Sequence, residues 1–212
     1  MNFYKRVVFH FILFIIVFFS IQLIIKQFFI SESLLYEHLS EDFSDSSVVD
    51  KIENYKKVSF LQIIVPVIFY ILRFAIIAGF LSAALFFYNI KFNYSKILFV
   101  TILAEYVYVI KQVIKLFWFG LIQNDFTLKE FYHFNWDSIG AWVDISKLEV
   151  YFRLPLNTVN LFTVFYVFAL AYCLRRCQRM KYPMSLKITT QAFGAGLILW
   201  ILLSMFILVL IS

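Results

Sequence analysis

The sequence predicts an all-α integral membrane protein of five transmembrane helices, with the N-terminus cytosolic and the C-terminus on the outer side. Three observations predict it. The 212 residues are 63% hydrophobic and 15% charged, whereas soluble domains are roughly half apolar and a quarter charged. Five apolar runs, 7–26, 60–88, 97–122, 157–174 and 189–211, reach or approach the ~20 residues that a spanning helix needs. Lys and Arg also fall on alternate sides of these runs. The N-terminus carries Lys5 and Arg6, segment 89–96 carries Lys91 and Lys96, and segment 175–188 carries Arg175, Arg176, Arg179, Lys181 and Lys187, with no acid among them. Segments 27–59 and 123–156 hold the acids instead. The positive-inside rule then fixes the orientation. No polar segment is long enough to fold alone, so 1–212 reads as a single transmembrane domain.

The first run follows "MNFYKR" and resembles a signal peptide in position. Its length, its Phe and Ile content and the lack of a small-residue cleavage site favour a retained helix. Outer loop 27–59 contains "SDSSVVDKIENYKKVSF". Asp45 or Ser46 offers a cap, Val48, Val49, Ile52 and Tyr55 recur at helical spacing, and Glu53 precedes Lys57 by four. A short amphipathic helix leading into the second run is expected, with Pro66 bending that run. In outer loop 123–156, Thr127 to Glu130 reads as a capping box. Trp136 and Trp142 suit the headgroup layer, and an interfacial or re-entrant piece is expected. Pro155 and Asn157 are expected to open the fourth run.

Catalytic constellations are absent from the pattern. His10, His38 and His133 show no metal-ligand spacing, and there is no HExxH, CxxC or G-x-S-x-G. His38 with Glu37, Glu41 and Asp42 would bind a cation only if His133 and Asp137 folded over it; a solvated acidic loop is the simpler reading. Cys173 and Cys177 read as reduced cysteines. The expectation is no enzyme, no cofactor, no metal and no nucleic-acid partner. The expected partners are the bilayer and other membrane proteins, or a second copy of the chain.

The informative residues are the charges inside the runs. A charge at mid-bilayer costs about 2.5–3.5 kcal/mol even on insertion scales. In the third run Glu105, Tyr108, Gln112 and Lys115 fall within an arc of about 80°, with Lys111 at its edge. The stripe should therefore face the bundle. Counting from residue 97, Glu105 lies roughly 12 Å deep, Lys111 roughly 21 Å and Lys115 roughly 27 Å. Lys115 is expected to snorkel to the outer headgroups. Arg73, on the antiparallel second run, sits level with Lys111 and roughly 9 Å from the level of Glu105. Glu105 is the one acid in the runs, so Arg73 or Lys111 should neutralise it. A structural ion pair fits these residues better than a proton or ion relay, which needs several titratable groups in series. The excess basic charge also suits an acid on a partner's span. The basic segment Arg175, Arg176, Arg179 and Lys181 suits anionic lipid headgroups.

The segments "LNTVNLFTVFYVFALAYCLRR" (156–176) and "AFGAGLILWILLSMFIL" (192–208), joined by a short basic loop, resemble the last two spans of the Yip family (Ypt/Rab-GTPase-interacting membrane proteins), especially its bacterial branch. The resemblance extends over roughly residues 60–211. It implies five spans, a cytosolic N-terminus, a bacterial cytoplasmic (inner) membrane, and a non-enzymatic protein that organises other membrane proteins or the bilayer. Eukaryotic members carry a long cytosolic N-terminal region and short motifs in the second and third spans that this chain lacks, so Rab binding is not implied. The sequence as a whole leads to a scaffold, assembly factor or accessory subunit. The alternative is a small transporter or ion-coupled conductor using Glu105 and Arg73.

Overall fold

The computed structural model describes residues 3–40, 47–48, 51–52, 61–123, 125–132, 134, 136–141, 143 and 150–211. The described residues are helical with no β-strand; a single isolated bridge joins Ser138 and Asn160. The helices are α1 (Phe3–Ile24), α2 (Glu32–Ser40), α3 (Leu61–Phe87), α4 (Tyr94–Phe117), α5 (Leu128–Tyr132), α6 (Val150–Thr158), α7 (Leu161–Gln178) and α8 (Tyr182–Ile211). Four stretches are long and apolar enough to cross a membrane: Phe3–Phe29, Ile64–Phe87, Tyr94–Ile122 and Tyr182–Leu210. The fourth predicted run becomes α7, an 18-residue helix with Arg175 and Arg176 in its last turn. Most of the expected 45–59 helix, with Glu53 and Lys57, lies outside the described residues, as do Glu41, Asp42, His133 and Trp142.

Boundaries differ from expectation where basic or proline residues lie inside helices. The segment expected as a loop over 175–188 narrows to a turn between Gln178 and Tyr182, and Lys187 lies inside α8. Arg179 closes α7 in the left-handed conformation at φ 53°, and Met180 N–H donates to the Arg175 carbonyl at 3.3 Å. This satisfies a carbonyl that the helix end would leave open. The loop expected over 89–96 shortens in the same way. Asn89 takes φ 55° and Asn93 Oδ1 accepts from Ser95 N–H, so Lys96 lies within α4. Pro155 does not open the fourth run. It sits inside α6, and Asn160 caps α7 by accepting from Thr163 N–H at 2.9 Å. The capping box is present: Thr127 N–H donates to Glu130 Oε2 at 2.8 Å and Glu130 N–H to Thr127 Oγ1 at 3.2 Å.

The chain divides into two compact units. The first comprises Met1–Phe11, Arg73–Tyr108 and Asn135–Ser212. Its core draws Ala78, Leu81 and Leu85 from α3, Ile97, Val100 and Ala104 from α4, Tyr166, Leu170 and Leu174 from α7, and Ile188 and Ala192 from α8. Each set repeats at three or four residues, so each helix turns one stripe inward. Ser185 donates to the Ala171 carbonyl at 2.6 Å and ties α8 to α7. The break between α6 and α7 is braced by 136–139: Leu161 N–H donates to Asp137 O and Ile139 N–H to Val159 O. Backbone left open by the break thus finds partners within the protein.

The second unit comprises Ile12–Leu72 and Val109–Phe134. Here α1 and α4 each end in a five-residue π turn, Ile25–Phe29 and Trp118–Ile122. Its core is Ile21, Ile25, Phe119 and Phe131, with Phe29, Phe126 and Phe134 packed against it. The Phe119 ring lies 4.9 Å from Phe126, 5.0 Å from Phe131 and 4.9 Å from Phe134. Edge-to-face and tilted ring contacts of this kind hold beyond their buried area.

Candidate functional site

Where α3, α4 and α7 meet in the first unit, the apolar core gives way to a polar cluster. Arg73 Nε stands 3.0 Å from Glu105 Oε1. The Nε–H is not aligned on that oxygen, so the contact is an ion pair rather than a hydrogen bond. The guanidinium carbon lies 4.8 Å from the Tyr108 ring centroid and 5.9 Å from that of Tyr166. The two rings are 5.1 Å apart, and Phe193 packs behind Tyr166 at 5.2 Å. Arg73 is therefore held by a carboxylate at one edge and by the faces of two aromatic rings.

Glu105 is 1% exposed and Tyr166 is fully buried. Glu105 Oε2 and the Tyr166 hydroxyl are both buried with no aligned hydrogen-bond partner among the described residues. Thr163 and Arg73 both act on the Tyr108 hydroxyl. The cluster is neutral as a whole, with one cation against one anion. Its members come from three helices, which also pack through the apolar core.

The sequence-predicted residues divide between the units. Arg73, Glu105 and Tyr108 come together as described. Lys111, Gln112 and Lys115 belong to the second unit, where all three are half-buried. Lys115 makes a cation–ring contact. Its Nζ sits 4.1 Å from the centroid of the Phe131 ring, on α5. The ring's negative face attracts the ammonium. Arg175, Arg176, Arg179 and Lys181 are all exposed around the α7–α8 turn. Arg176 also donates to the Tyr172 hydroxyl at 3.1 Å and lies over that ring. Cys173 and Cys177 are free thiols, and Cys177 Sγ donates to the Lys96 carbonyl at 3.7 Å. Among the described residues, no three His, Cys, Asp or Glu side chains gather as a metal site.

Tyr166 and Thr163 were not anticipated. They stand three apart on the buried face of α7. The stripe argument applied to Glu105 and Tyr108 would have found them, because they are polar positions on one face of an apolar helix. No family model matches this chain, and neither does any curated protein or solved structure.

Proposed function

We propose that this chain is a non-catalytic multi-pass membrane protein that works as a scaffold, assembly factor or accessory subunit of a membrane complex. The observation that carries the reading is the closed Arg73–Glu105 pair. Its carboxylate is enclosed by Arg73, Tyr108 and Tyr166, and it ties three helices together instead of opening onto a path. In this reading α7 is the fifth span. At 18 residues it is roughly 27 Å long, close to the ~30 Å hydrocarbon core. It packs against α8 across the three-residue Arg179–Lys181 turn. The N-terminus and the Arg175–Lys181 turn face the cytosol and touch anionic headgroups. The resemblance of residues 60–211 to the Yip family agrees with this role and with a bacterial inner membrane.

Extraction of native membranes into polymer nanodiscs, followed by mass measurement, tests the reading. A species heavier than one chain, of fixed stoichiometry, is expected; a particle holding one chain alone contradicts it. The second reading is an ion-coupled conductor, favoured by an acid and an arginine sharing one intramembrane site. Proteoliposomes loaded with a pH dye test it. A proton flux that falls in Glu105→Gln would replace the scaffold reading with conduction.

A further inference from the structure

The break between α6 and α7 is tied to the charge pair by side-chain hydrogen bonds. α6 ends at Thr158, and Asn160 is extended, at φ −139° and ψ 168°, before α7 begins at Leu161. Side chains fill the gap. Asn160 Nδ2 donates to the Asn157 and Thr158 carbonyls at 3.3 Å each, and Ser138 Oγ donates to Asn157 Oδ1 at 3.3 Å. Thr163 Oγ1 lies 3.0 Å from the Thr158 carbonyl and 3.1 Å from Asn160 Oδ1. Both are acceptors only, so the single Thr163 hydroxyl proton points into the break. The Tyr108 hydroxyl is hydrogen-bonded to both Thr163 and Arg73. A guanidinium can only donate. Tyr108 therefore accepts from Arg73 and donates its own O–H to Thr163 Oγ1. One directed chain results: Arg73 to Tyr108, Tyr108 to Thr163, and Thr163 to acceptors at the end of α6. That end carries the negative pole of the α6 dipole, so the guanidinium polarises every bond in the favourable sense.

We propose that the α6–α7 break is a joint held closed by Arg73, through Tyr108 and Thr163, so that segment 136–160 and the Arg73–Glu105 pair change state together. Two backbone bonds close the joint: Leu161 N–H donates to Asp137 O at 2.9 Å and Ile139 N–H to Val159 O at 3.3 Å. Opening it moves Asn160 and Thr163 away from Tyr108, and the Tyr108–Thr163 bond is then lost. A bond of this kind shifts such an equilibrium roughly two- to tenfold toward the closed form. The coupling is reciprocal. Displacing segment 136–160 loosens the hold on Arg73, and neutralising the pair loosens the joint. Every residue involved belongs to the first unit of this chain, so the inference stands apart from the assembly reading.

The test is hydrogen exchange at the Leu161 and Ile139 amides, read by NMR on the full chain in bicelles, with each variant's fold checked by circular dichroism. Tyr108→Phe keeps the ring beside Arg73 and removes only the hydroxyl. Both amides should exchange about two- to tenfold faster. In a Thr163→Val background, which has already lost the bond, Tyr108→Phe should add nothing. Arg73→Gln/Glu105→Gln, a double variant that leaves no charge unpaired, should also speed both amides. Leu85→Ala separates coupling from general loosening. It thins the same core twelve residues along α3 from Arg73 and should leave both rates unchanged. Unaltered rates in Tyr108→Phe overturn the proposal, as do rates raised equally by Leu85→Ala. A Tyr108→Phe effect that persists in full in Thr163→Val also overturns it. If Tyr108→Phe speeds exchange but the double variant does not, the chain stops at Tyr108 and the link to the pair falls.

Discussion

In the first unit the embedded cation Arg73 lies 3.0 Å from a carboxylate; in the second, Lys115 lies 4.1 Å from the centre of a phenylalanine ring. The settings follow from the cores around them. The first unit packs Ala, Leu, Ile and Val stripes at helical spacing, which leaves room for a polar cluster between three helices. The second is built from Phe rings gathered where two π turns end their helices. A carboxylate neutralises a charge fully but must itself be buried and compensated. A ring face compensates less and requires nothing in return. Deleting a partner should therefore cost far more in the first unit than in the second.

Glu105→Ala is the sharpest way to break this contrast. It strands the Arg73 charge and should lower unfolding stability in mild detergent by about 3–5 kcal/mol. Phe131→Leu keeps an apolar contact with Lys115 but removes the ring face. Chemical denaturation should register a loss of about 1–2 kcal/mol, most of it restored if Lys115→Met is added. Asn160→Ala removes the cap of α7, which carries Tyr166 and Thr163. A loss of about 1 kcal/mol is expected, with faster hydrogen exchange in the first turn of α7. Thr127→Ala opens the capping box beneath Phe131. Its effect should be the smallest, about 0.5 kcal/mol, and confined to exchange at α5.

Much of the helical plan is legible from composition and apolar runs, because lipid forces every backbone group into internal hydrogen bonds. Glu105 was equally legible, since a lone acid in a span demands a base. Its choice of Arg73 depended on a side chain bridging an axial offset, which periodicity places only to within a turn. Tyr166 escaped notice because an aromatic hydroxyl barely lowers the hydropathy of α7, and its burial is set by α3, α4 and α8. Phe131 lies sixteen residues beyond Lys115 and across a π turn, a local change of pitch that no residue in "WFGLI" announces. Charge alone places Lys187 in a loop, whereas a lysine in the first turns of a helix can still reach water with its ammonium, which is why the α7–α8 turn is shorter than the basic segment suggests.

The central claim is that Arg73 and Glu105 act as one structural unit. A double-mutant cycle with Arg73→Gln, Glu105→Gln and both together, read as reversible unfolding in bicelles, tests it most directly. The account predicts that each single change destabilises, and that the double change recovers at least about 1 kcal/mol relative to their sum. Strictly additive losses would contradict it.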